Sequence, residues 1–170
     1  MSQHDTYAEA TLRAILNRTR TIAMVGASTN WNRPSYFVQK YLIGKGFRVI
    51  PINPTAVGQD LLGETVVASL ADLPVPVDMV DIFRNAEAAG GIVDEAISLG
   101  PKLGAKTIWM QLGVRNDAAA ARAEAAGFDV IMNRCPKIEF ARLSGELGWS
   151  GLDTGLVSSK RPSLPKRSWS

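Results

Sequence analysis

The stretch TIAMVGASTNWNRPSYFVQKYLIGKGFRVIPINP, residues 21–54, decides the fold. It opens on a short apolar run, 21–25, that stops at Gly26, and closes on another, 47–52, that stops at Asn53-Pro54. Between them Tyr36, Val38, Tyr41 and Leu42 recur at the spacing of one helix face over residues 35–45. Gly46 sits where a helix C-terminus takes glycine. Strand, helix and strand in so short a span form a parallel βαβ unit, because parallel neighbours need a long crossover between them.

The pattern extends in both directions. Residues 7–18 place Ala8, Leu12, Ile15 and Leu16 on one side of a first helix. Apolar runs at 77–83, 105–112 and 128–133 read as a third, fourth and fifth strand. Helical segments at 86–99, 117–126 and 138–147 alternate with them, the first weakened by Gly90 and Gly91. Residues 55–71 are loop-rich, with a small strand or turn expected at 64–70. The strands are continuous apolar runs, as expected when helices cover both faces of a sheet. The expectation is a Rossmann-like α/β fold, a doubly wound parallel sheet of about five strands. It forms one domain over 1–153, followed by a basic, flexible tail at 154–170.

Composition narrows the function. The chain has 170 residues, about one domain, with 46% hydrophobic and 21% charged residues. No run approaches the ~18 apolar residues of a membrane span. Residues 1–5 lack the layout of a signal peptide, so the expected location is cytoplasmic, with no membrane partner. Cys135 and His4 are the sole cysteine and histidine, which excludes an internal disulfide and a cysteine-rich zinc site and argues against a histidine-based metal site or catalytic triad. The net charge of +3 is misleading: Lys160, Arg161, Lys166 and Arg167 lie in the last eleven residues, and without them 15 cations face 16 acids. The body is therefore not a nucleic-acid-binding surface, and the tail reads as a solvated terminus.

In doubly wound folds ligands sit at the carboxyl ends of the strands. The first strand ends in Gly26-Ala27-Ser28, and Arg33, Pro34 and Ser35 open the next helix. A glycine turn, a guanidinium, a hydroxyl and the positive end of a helix dipole together suit a pyrophosphate. The competing structural role is that Gly26 turns the chain and Ser35 caps the helix. The loop is not Gly-x-Gly-x-x-Gly, since Ser28 and Trp31 occupy the third and sixth positions. The second strand ends in Asn53-Pro54 where an NAD enzyme has an acid, which favours a ligand phosphorylated on its ribose, NADP or coenzyme A. Trp109 reads as core, and Trp31 as either a loop anchor or a stacking platform. Asp78 and Asp81, three apart on one strand, point to opposite faces and make no acid–base pair.

Further landmarks are Val49-Ile50-Pro51-Ile52-Asn53-Pro54, Leu62-Gly63-Glu64, Leu70-Ala71-Asp72-Leu73-Pro74 and Val80-Asp81-Ile82-Phe83-Arg84. Trp109-Met110-Gln111-Leu112-Gly113-Val114 and Asn133-Arg134-Cys135-Pro136-Lys137 follow. In this order and spacing, over about residues 15–148, the chain resembles small bacterial CoA-binding proteins. These are related to the N-terminal CoA-binding domain of the succinyl-CoA synthetase alpha subunit. The resemblance implies that coenzyme A or a short acyl-CoA binds at the strand ends. Gly26, Ala27 and Ser28 would meet its phosphates, with Arg33, Pro34 and Ser35 nearby. Asn53 and Pro54 would border the adenosine, Phe83 and Arg84 would close over the ligand, and Gln111, Asn133, Arg134 and Cys135 would face the pantetheine.

One departure stands out. Relatives often carry lysine after Asn-Pro, suited to the 3′-phosphate, whereas this chain has Thr55, leaving Arg48 or Lys40 to compensate. The phosphohistidine domain of the synthetase and a Walker-type triphosphate loop are both missing from these residues, so the expectation is a binding protein rather than an enzyme. Cys135, between Arg134 and Lys137, is either a reactive thiol able to form a mixed disulfide with CoA or a buried, inert one. The alternatives are an NADP-dependent oxidoreductase and an interaction module that has lost its ligand. A homodimer or protein partner stays open.

Overall fold

The structure, a computed structural model, describes residues 2–145. The expected tail at 154–170 and the end of the expected last helix lie outside the described residues. In chain order the elements are α1 (Glu9–Arg18), β1 (Thr21–Val25), α2 (Pro34–Gly44), β2 (Arg48–Ile52), β3 (Asp60–Leu61) and β4 (Glu64–Thr65). Then come β5 (Met79–Ile82), α3 (Ala86–Leu99), β6 (Thr107–Met110), α4 (Asp117–Ala125), β7 (Asp129–Ile131) and α5 (Pro136–Leu143). Five parallel strands form one sheet in the order β2-β1-β5-β6-β7, and β3 and β4 make a separate antiparallel hairpin. Each apolar run supplies its strand, but several strands are shorter than their runs. Phe47, Val77, Phe128 and Met132 are buried beside the strands rather than in them, because an apolar run records burial and not the hydrogen-bonded ladder.

Alternate residues of the strands serve two cores. Ile22, Met24, Val49, Met79, Trp109 and Ile131 pack with Leu12 and Leu16 of α1, Val38 and Leu42 of α2, and Phe140 and Leu143 of α5. Ala23, Val25, Ile50, Val80, Ile82, Ile108, Met110 and Val130 pack with Ala89 and Val93 of α3 and Ala119 and Ala123 of α4. Helices on both faces make the fold doubly wound, a Rossmann-like α/β domain. The alanines of α4 let it approach α3 closely, and a Cβ at Gly90 would lie 3.4 Å from the Asn116 amide nitrogen. That approach accounts for Gly90 inside a helix. Asn85 and Asn116 cap α3 and α4, accepting the amides of Ala88 and Ala119 at 2.8 and 2.9 Å. Among the described residues no helix is long and apolar enough to cross a membrane.

The topology fixes where a ligand can sit. The chain leaves β1 through α2 on one face to reach β2, then returns to β5 on the other side of β1 and leaves through α3 on the opposite face. The strand order therefore reverses between β1 and β5, and a crevice opens beyond their carboxyl ends.

Asp78 and Asp81 do not pair. Asp78 accepts the amides of Arg20 and Thr21 at 2.8 and 3.0 Å, fastening the start of β1. Asp81 is fully buried between Met24 and Trp109 in the sheet, and among the described residues neither carboxylate oxygen has a hydrogen-bond partner. Burial holds its pKa well above the usual carboxylate range. The folded chain thus keeps a proton that the unfolded chain releases above about pH 4, so Asp81 subtracts stability as pH rises through that interval. Asp81→Asn is expected to raise stability at neutral pH and to remove a slope of up to about 1.4 kcal/mol per pH unit. Urea unfolding of both proteins from pH 4 to pH 8 checks this.

Candidate functional site

The crevice is assembled by backbone before any side chain takes part. Gly26 and Ala27 both donate their amides to the Ile52 carbonyl, at 3.0 and 3.2 Å, tying the β1 turn to the end of β2. On its other side Phe83 donates to the Val25 carbonyl at 2.7 Å. Gly26 has φ +92°, and a Cβ there would stand 2.7 Å from the Phe83 carbonyl oxygen and 3.0 Å from Cδ of Arg84. Only glycine fits this turn. Asn53 adds a second fastening. Its Nδ2 donates to the Ala27 carbonyl at 2.8 Å, and its Oδ1 accepts the Thr55 amide and hydroxyl at 2.8 and 2.7 Å. Past the turn, Ser28 and Asn30 accept the amides of Asn30 and Asn32 at 3.0 and 3.3 Å and lead the chain into α2. No side chain caps α2; Pro34 starts it, and Ser35 is buried inside it rather than acting as its cap.

A cleft of about 890 Å³ results. Gly26, Ala27, Ser28, Arg33, Pro34, Ser35, Asn53, Pro54, Phe83 and Arg84 all line it, so the structure brings these sequence-selected residues together. Within this group the roles divide. The amides of Gly26 and Ala27 are already committed to Ile52, and the Asn53 amide to the loops, so these three shape the cleft. Arg33 and Arg84 reach it from opposite sides of the β1 turn, and among the described residues neither guanidinium has a hydrogen-bond or ion-pair partner.

Gln111, Asn133, Arg134 and Cys135 do not line this cleft. Gln111 is buried, and its Oε1 has no hydrogen-bond partner among the described residues. Asn133, at φ +57°, accepts the Gly113 amide at 2.7 Å. The guanidinium of Arg134 lies 5.1 Å from the centre of the Tyr7 ring and donates to the carbonyls of Asn133 and Asp5. Cys135 is 6% exposed, within the core shared by α1, α2 and α5. For Arg134 the cause is a segment that carries no periodic signal. Residues before α1 lie across the ends of β6 and β7, where the Tyr7 hydroxyl accepts the Met132 amide at 2.8 Å and meets His4 Nδ1 at 2.9 Å.

Two further expectations change. Arg48 cannot stand in for a cation at residue 55: it starts β2, roughly 13 Å of strand from Ile52, and pairs with Glu64 at 2.8 Å. Lys40 is exposed on α2 and does not line the cleft. Conversely, the sequence reading missed one wall entirely, made of Ala88, Gly91, Ile92 and Glu95 of α3 facing Ala68, Ser69 and Leu70. The α3 residues follow helical spacing, and Gly91 was the available signal, since nothing lies within 4 Å of where its Cβ would be. Trp109 is fully buried, as its core reading requires, and its indole donates to the Arg134 carbonyl at 2.9 Å; Trp31 is 69% exposed.

Comparison with known proteins decides the family. The CoA binding domain family matches residues 20–141, most of the chain. This chain belongs to the CoA-binding domain family. It is 34% identical over 134 residues to YneT, an uncharacterized protein of Bacillus subtilis (strain 168), covering 79% of this chain and 95% of YneT. A hypothetical protein from Pyrococcus horikoshii OT3 superposes with a TM-score of 0.77 at 34% identity, over 85% of this chain and 98% of that one. The dinucleotide-forming acetyl-coenzyme A synthetase 1 of Ca. Korarchaeum cryptofilum, in its apo form, matches with a TM-score of 0.56 at 25% identity. That likeness spans 69% of this chain and 27% of the synthetase.

Gly26→Ala tests the turn. The positive φ alone costs about 1–2 kcal/mol, and the approach to Phe83 adds to it, so calorimetry is expected to show a melting temperature lower by roughly 4–8 °C.

Proposed function

We propose that this domain binds coenzyme A or a short acyl-CoA in the cleft between the ends of β1, β2 and β5, and acts by recognition rather than catalysis. The observation that carries this reading is the pair of guanidiniums, Arg33 and Arg84, without partners among the described residues, on a cleft built around the β1 turn and the start of α2. A guanidinium is permanently charged and matches phosphate oxygens in a two-point fork, so two of them across one turn suit a diphosphate. Membership of the CoA-binding domain family supports the choice of that diphosphate. The residues present fit such a ligand in other respects. A volume near 890 Å³ lies within the range of small-molecule and cofactor sites, and Gly91 leaves the α3 wall without a side chain where the ligand body would pass.

The same lining supports a binding role. Its ionisable side chains are Arg33, Arg84 and Glu95. Guanidiniums do not give up protons near neutral pH, and Glu95 already accepts the Ala71 amide at 3.3 Å. Among the described residues the lining thus provides no acid–base pair for proton transfer and no thiol or histidine nucleophile. Arg33 and Arg84 would hold the phosphates, Asn53 would keep the two loops in register, and Phe83 would flank the ligand.

Calorimetric titration of the full chain with CoA, beside NADP and NAD, tests the reading. CoA is expected to bind more tightly than either dinucleotide; no heat with CoA, or a preference for NADP, overturns it. Arg33→Ala and Arg84→Ala each remove a charge-assisted contact of about 1.5 kcal/mol or more, so CoA affinity is expected to fall at least about tenfold with the melting temperature unchanged. Gly91→Leu separates fold from ligand: the helix gains a better former and stays folded, while the side chain enters the cleft and blocks CoA.

A further inference from the structure

None of the charged side chains that line the cleft comes from the segment that follows β2 among the described residues. Arg33 stands at the start of α2, and Arg84 follows β5 with its stem over Gly26. One wall of the cleft lies beyond β2. There Ile52 bridges to Val67, the Asn53 amide donates to the Val67 carbonyl at 2.9 Å, and the chain continues through Ala68, Ser69 and Leu70. Glu95 of α3 is fastened to this wall through its Oε2, which accepts the Ala71 amide. Among the described residues the segment after β2 supplies no cation to the cleft, and the α3 wall facing it supplies one carboxylate, Glu95. The Thr55 amide and hydroxyl both donate to Asn53, so the residue best placed to receive a ribose substituent is neutral and already engaged.

In doubly wound folds the residues after the second strand face the ribose, an acid accepting its hydroxyls and a cation accepting a phosphate. From this charge pattern we infer that the cleft recognises a nucleoside diphosphate by its diphosphate and its ribose hydroxyls, and gains nothing from a phosphate on the ribose. The inference rests on the reading that a CoA-type diphosphate occupies the cleft, and it makes the 3′-phosphate of CoA a passenger. A phosphate brought to this wall would meet the Glu95 carboxylate, like charge against like, with Arg48 turned to Glu64 at the far end of β2.

The test is titration of the full chain with CoA and with dephospho-CoA at one fixed ionic strength. The expected result is that the two dissociation constants agree within threefold. Binding of neither ligand defeats the proposed function itself. Tight CoA binding with dephospho-CoA weaker by threefold or more leaves that function standing and overturns this inference. Two variants locate the ribose. Thr55→Lys places a cation on the wall and is expected to shift the ratio toward CoA by about two- to fivefold, the scale of a solvent-exposed ion pair. Glu95→Gln removes the carboxylate charge and shifts the ratio in the same direction by less. A ratio unmoved in both variants, each folded by circular dichroism, means that the ribose does not face this wall, and the inference fails.

Discussion

The Ile52 carbonyl holds the cleft together. It accepts two amides from the neighbouring strand's turn, and this forces the β1 chain to bend sharply where its ladder ends. The bend requires a positive φ and brings the backbone against Phe83, which leaves room for no Cβ. Everything that shapes the site follows from that geometry. The stem of Arg84 lies over Gly26, Asn53 reaches across to the Ala27 carbonyl, and the turn releases the chain into α2 with Arg33 at its threshold.

This arrangement changes what the glycine turn does. A glycine-led loop at the end of a first strand invites the picture of backbone amides cradling phosphate. Here two of those amides hold the sheet edge instead, and anion recognition passes to side chains. The cost of leaving a charged group without a partner is modest at the mouth of an open cleft, where water solvates it, so Arg33 and Arg84 can wait exposed. Arg134 shows the contrast. A cation at an equivalent strand end is drawn onto Tyr7 and two carbonyls by the segment preceding α1, and so is spent on structure.

Much of the fold was legible because a buried parallel strand and an amphipathic helix leave different periodicities. Residues 21–25 read as a strand and form β1; 86–99 read as a helix despite two glycines and form α3. The lining from β1, α2, β2 and β5 was legible for the same reason, since strand order along the chain points to the strand ends. Glu95 and Gly91 were not legible. They sit in mid-helix, and nothing in their local pattern says that one face of α3 borders a cleft while another packs against α4. Cys135 was ambiguous between a reactive and an inert thiol, and its burial among side chains from three helices is a property of their packing.

The sequence by itself determined the alternation of strands and helices, the glycine at the β1 turn, the family, and the absence of a second histidine or cysteine from 170 residues. These are local or compositional facts, carried by periodicity, by φ preference and by residue identity. Only the tertiary structure decided which polar groups remained available. Hydrogen bonding between residues far apart in the chain consumed the amides of Gly26 and Ala27, the Asn53 side-chain amide and the Arg134 guanidinium, while the Thr55 hydroxyl went to its near neighbour Asn53. It left Arg33 and Arg84 at the cleft without partners among the described residues. A polar side chain announces its capacity to bind, but its partner is chosen by whatever the fold brings within 3 Å of it.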